Sequence, residues 1–78
     1  MTLLEATRER INQLCEEKKM NINKLAIASG INPSTIRSIF KVITKAPSSD
    51  TIYYICLGFG ISLKDFYDSK LFDELDDD

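Results

Sequence analysis

The sequence predicts an all-α domain, a compact bundle of five helices built around a helix-turn-helix. Three observations carry this. Apolar residues recur at helical spacing along the chain, an Asn or Ser cap opens four of the runs, and Gly30 and Gly60 fall where two of them must stop. The signals are densest between Asn21 and Lys41, NINKLAIASGINPSTIRSIFK, where two short helical patterns meet at Gly30. Helix, glycine turn and capped helix form the outline of a helix-turn-helix.

The first element is expected from about Leu3 to Lys19. Leu4, Ile11, Leu14, Cys15 and Lys18 share one helical face, with Arg8, Glu9, Asn12 and Glu16 on the other. The second runs from Ile22 to Ser29, with Asn21 as a cap able to accept from an orphan backbone N–H. Gly30 suits a stop that demands positive φ. Asn32 then caps a third helix over Pro33–Lys41, with Pro33 at the first helical position, where its missing N–H costs nothing. Leu25, Ala26, Ile31, Ile36 and Ile39 should face inward, and Ala26 is small where two helices approach. That leaves Pro33, Ser34, Arg37, Ser38 and Lys41 as one outward stripe. After a loop over Val42–Ala46, Ser48 opens a fourth helix that reaches about Phe59, burying Ile52, Ile55, Cys56 and Phe59. Gly60 ends it. Ser62 opens a fifth from Leu63 to about Tyr67, presenting Leu63, Phe66 and Tyr67. Leu71, Phe72 and Leu75 have no obvious place in so small a core, so the domain is expected over 1–72, with an acidic, disordered tail over 73–78.

Seventy-eight residues make one domain with a single small core. The net charge of −2 hides an asymmetry: residues 1–47 carry +4 and residues 48–78 carry −6. Between Glu17 and Asp50, Lys18, Lys19, Lys24, Arg37, Lys41 and Lys45 occur with no acidic residue, so the basic segment coincides with the helix-turn-helix. No apolar run approaches the ~20 residues of a membrane span, and the N-terminus lacks a signal-peptide plan. A soluble, cytoplasmic protein with no membrane partner is expected. Cys15 and Cys56 read as small buried hydrophobes in a reducing compartment. With no His, no glycine-rich phosphate loop and carboxylates gathered in a tail, the chain is not expected to be an enzyme. No cofactor, metal or small-molecule substrate is implied, since the run Asp76–Asp78 lacks the spacing of a calcium loop.

The stretch LAIASGINPSTIRSI, followed by APSSDTIYYICLGFGISLKDFY, resembles the lambda-repressor-like, Cro-type family of helix-turn-helix DNA-binding domains. The resemblance rests on Leu25-Ala26, Gly30-Ile31, Ile36 with Ile39, Pro47-Ser48 and Gly60-Ile61-Ser62-Leu63 in that order, and spans about Ile11 to Tyr67.

The resemblance implies a sequence-specific transcriptional regulator, a repressor, that lays helix Pro33–Lys41 in the major groove of double-stranded DNA. Pro33, Ser34, Arg37 and Ser38 match the base-facing positions. Asn21, Ile22, Lys41, Thr44 and Lys45 match the backbone-facing ones. Arg37 can donate two hydrogen bonds to guanine O6 and N7, the serines can pair with several base edges, and Pro33 can touch a thymine methyl. Lys41 and Lys45 can neutralise phosphates, and the first amides of the second helix can bond one directly. A lone module reads few base pairs, so a homodimer is expected, with Tyr67, Leu71, Phe72 and Leu75 as candidate interface or, equally, as a segment folded back over the first and fifth helices. The alternative function is a helix-turn-helix used mainly for protein contacts, through Phe40, Val42, Ile43, Leu71 and Phe72.

Overall fold

The computed structural model describes residues 1–41 and 46–76. Five α-helices follow in order, α1 (Leu3–Lys18), α2 (Ile22–Ser29), α3 (Pro33–Lys41), α4 (Ser49–Phe59) and α5 (Leu63–Tyr67), and a 3₁₀ turn (Lys70–Phe72) comes last. There is no strand among the described residues.

Each helix start has a local cause. Asn21, Ser48 and Ser62 each accept a hydrogen bond from the backbone N–H three residues on, at Lys24, Thr51 and Asp65. Asn32 Oδ1 accepts from the Ser34 amide at 2.9 Å, and so opens α3. α1 has a start the spacing argument missed: the Thr2 hydroxyl accepts from the Glu5 amide while the Glu5 carboxylate accepts from the Thr2 amide, a full capping box. The Thr2 amide holds the Glu5 carboxyl below its ordinary range. Gly30 and Gly60 take φ of 71° and 75° at the ends of α2 and α4, a conformation open to glycine without a Cβ clash.

The core is one cluster. Leu4, Ile11 and Leu14 from α1 meet Leu25 and Ala26 from α2, Ile36 and Ile39 from α3, Ile52, Ile55, Cys56 and Phe59 from α4, and Phe66 from α5. Ile31, Met20 and Phe40 are partly buried against it. Two expectations for α1 change. Lys18 is exposed, beyond the edge of the apolar face, and Arg8 is not on the solvent face: it is half-buried, and its Nε donates to the Ile39 carbonyl at 2.5 Å. A side chain as long as Arg reaches over the rim of the core, so face assignment by spacing alone misplaces it. Arg10 does the same for α5, donating to the carbonyls of Phe66 at 2.6 Å and Asp65 at 2.7 Å. Both place a cation at the negative end of a helix, one at α3 and one at α5.

Of the two readings of the C-terminal segment, Leu71 and Phe72 take the fold-back over α1 and α5. Phe72 packs on the core with its ring 6.1 Å from that of Phe66 and 4.9 Å from that of Tyr67, and the 3₁₀ turn lies against α1. Part of the stretch expected as a disordered tail makes defined bonds: Asp76 accepts from the Met1 ammonium at 2.8 Å, and its own amide donates to the Met1 carbonyl. That ammonium holds the Asp76 carboxyl below its ordinary range. Asp77 and Asp78 lie outside the described residues.

Helices α2 and α4 approach each other closely at Ser29 and Gly58. A Cβ added to Gly58 would lie 2.2 Å from Ser29 Oγ and 3.0 Å from the Ser29 backbone nitrogen. The hydroxyl can turn aside, but the backbone cannot. Overpacking of about 1–3 kcal/mol then exceeds the ~1 kcal/mol that Ala gains over Gly inside a helix. Gly58→Ala is therefore expected to lower stability in urea by up to about 2 kcal/mol. A gain in stability would contradict this α2–α4 contact. Ser29 Oγ is buried with no hydrogen-bond partner among the described atoms, so Ser29→Ala should recover only the hydroxyl's share of the loss.

Candidate nucleic-acid interface

The sequence of α3 divides its surface cleanly. Ile36 and Ile39 enter the core, while Ser34, Arg37, Ser38 and Lys41 are exposed and Pro33 is half-buried at the first turn. The two serines are turned toward their own helix. Ser34 Oγ donates to Asn32 Oδ1 at 2.9 Å, and Ser38 Oγ donates to the Thr35 carbonyl at 2.7 Å. With each O–H used in this way, the hydroxyl oxygens present lone pairs outward. Arg37 is the only long donor of the stripe's centre, and its Nη2 donates to Asn23 Oδ1 on α2 at 2.8 Å.

The start of α2 lies alongside. Asn21 has its side-chain oxygen committed to the Lys24 amide at 2.8 Å, and Ile22 is packed partly against the core. What these two positions offer a ligand is therefore backbone N–H at the positive end of a helix, together with the donors of the Asn21 side-chain amide. Lys18, Lys19, Lys24, Arg37 and Lys41 are all exposed, and no acid occurs between Glu17 and Asp50. Thr44 and Lys45, like Val42 and Ile43, lie outside the described residues. An open groove of about 420 Å³ runs between the end of α1 and the start of α2, lined by Asn12, Cys15, Met20, Asn21, Asn23 and Arg37 among others. Burial pushes the thiols of Cys15 and Cys56 up, as suits packing residues rather than nucleophiles. No cluster of three or more metal-ligating side chains occurs among the described residues.

Arg8 and Asn23 bond to α3 in a way that spacing does not reveal. Arg8 ties α1 to the last turn of α3, and Asn23 ties α2 to its middle. Neither belongs to a motif. The only sequence signal was a cation beside an apolar stripe and an amide in the first turn of a helix. Of the four residues considered for a dimer contact, Tyr67 and Leu75 are exposed, while Leu71 and Phe72 are half-buried in the fold-back over α1 and α5. Phe40, considered for protein docking, is packed against the core.

Two short helices around a left-handed glycine, the second turning a polar, basic stripe outward, define a helix-turn-helix DNA-binding domain. More particularly, the chain belongs to the family of Cro/C1-type helix-turn-helix DNA-binding domains, whose model matches residues 10–70. It is also similar to the crystal structure of prophage Lp1 protein 11, at 32% identity over 96% of this chain and 99% of that one, with a TM-score of 0.83. Among curated proteins none matches. No helix among the described residues is long and apolar enough to cross a membrane.

Proposed function

We propose that this protein is a sequence-specific transcriptional regulator, a cytoplasmic repressor that acts by occupying DNA and carries out no chemistry. Helix α3 enters the major groove, and the observation that supports this best is the exposed stripe Ser34, Arg37, Ser38 and Lys41 within a basic segment free of acids. Arg37 supplies donors suited to guanine O6 and N7. Ser34 and Ser38, with outward lone pairs, favour the amino groups of adenine or cytosine, and Pro33 offers an apolar edge to a thymine methyl. The amides of Asn21 and Ile22 and the side chains of Lys41, Thr44 and Lys45 meet phosphates and set the register. Two copies bind together, with half-sites ~34–36 Å apart, and the exposed Tyr67 and Leu75 contribute to the contact between them.

Titration with duplex DNA at two salt concentrations tests this reading. Log affinity should fall against log salt with a slope of about −0.9 for each phosphate neutralised. Absent binding at low salt, or affinity indifferent to salt, would overturn it. A second reading, a protein-docking module, is favoured by one observation: Tyr53, Tyr54 and Leu57 are about half exposed on one face of α4, at 48, 49 and 53%. On that reading the DNA titration gives no salt-dependent affinity.

A further inference from the structure

We propose that Asn23 is a positioning residue that sets the direction in which Arg37 reads DNA. The inference rests on the reading of α3 as the base-contacting helix. Arg37 stands exposed at the centre of α3, and a free arginine there would sample many rotamers before contact. In this structure it is held, its Nη2 donating to Asn23 Oδ1 at 2.8 Å.

The anchor is itself fixed. Asn23 lies in the first turn of α2, whose start is set by the Asn21 cap and whose body is seated through Leu25 and Ala26 in the same cluster that holds Ile36 and Ile39 of α3. The bond also leaves the arginine able to read. A guanidinium has five N–H donors, and one is used, so four remain for the two bonds a guanine edge takes. An amide oxygen suits this task better than a carboxylate. It directs the guanidinium without cancelling its charge, and it adds no negative charge to a surface that faces phosphates. Without Asn23, Arg37 would have to be ordered during binding, which weakens the base contact by about 2- to 12-fold.

The test uses Asn23→Ala, a change at an exposed position that also favours helix. In the free protein, ¹⁵N relaxation of Arg37 Nε should show a restrained side chain in the wild type and a mobile one in the variant. With DNA, the preference for the selected site over a duplex altered at the guanine should fall about 2- to 12-fold, with affinity for random duplex and the salt slope unchanged. Asn23→Asp keeps the acceptor oxygen, so it should restore the preference while lowering affinity for every duplex alike. In an Arg37→Ala background, Asn23→Ala should leave the preference where it is. The proposal is overturned if Asn23→Ala leaves Nε motion and preference unaltered, or lowers the preference equally without Arg37. Loss of all salt-dependent binding in the wild type would overturn the DNA reading itself, a separate failure, because the Nε measurement needs no DNA.

Discussion

Phe66→Ala is expected to leave the chain largely unfolded at 25 °C. Phe66 is fully buried at the end of the short helix α5, with its ring 5.0 Å from Tyr67 and 6.1 Å from Phe72. Removing such a ring costs about 3–5 kcal/mol, through lost transfer energy and the cavity left behind. A core in a domain of this size rarely supplies more than about 3–5 kcal/mol in total, so the two magnitudes are comparable. The loss also reaches α1, because Arg10 bonds the Phe66 and Asp65 carbonyls and has no reason to stay in place if α5 detaches. Far-ultraviolet circular dichroism and urea titration measure this directly. Cooperative unfolding with a midpoint near that of the wild type would show that α5 and the 3₁₀ turn are dispensable.

Arg37→Ala should have the opposite profile, with the fold kept and recognition lost. Arg37 is exposed, and α3 is seated by Ile36, Ile39 and the Arg8 bond to the Ile39 carbonyl, none of which the substitution touches. A bidentate arginine–guanine pair contributes about 1–3 kcal/mol of discrimination, or roughly 5- to 150-fold. Once a preferred duplex has been selected from a random pool, the variant should lose that factor on it and far less on random duplex. Equal losses on both would mean that Arg37 contacts phosphate and reads no base. The two serines are short and permissive, so little discrimination remains to compensate. What remains would come from dimer geometry and DNA shape.

The legibility of this protein in its sequence follows the range of its interactions. Helices α2 to α5 begin where their caps indicate, and α2 and α4 end at glycines, because Asn21, Asn32, Ser48, Ser62, Gly30 and Gly60 act on atoms within a few residues. The buried face of α4, Ile52, Ile55, Cys56 and Phe59, was likewise readable from a period of 3.6 residues. The long-range bonds that tie the helices together are not. Arg8 reaches a carbonyl 31 residues away, Arg10 reaches carbonyls 55 and 56 residues away, and Asn23 meets Arg37 across 14 residues. No periodicity records such pairs. Phe72 is open in the sequence between an interface and a fold-back over α1 and α5, because a single 3₁₀ turn is too short to show a face, and the aromatic contacts with Phe66 and Tyr67 place it in the fold-back.

On the proposed reading, α3 with the start of α2 is the surface that meets DNA. Amide chemical-shift changes during titration with a selected duplex test it most directly. The largest changes are expected at Asn21 and Ile22 and over Ser34–Lys41, with little at Tyr53–Leu57. Changes centred on α4, with α3 unmoved, would contradict it.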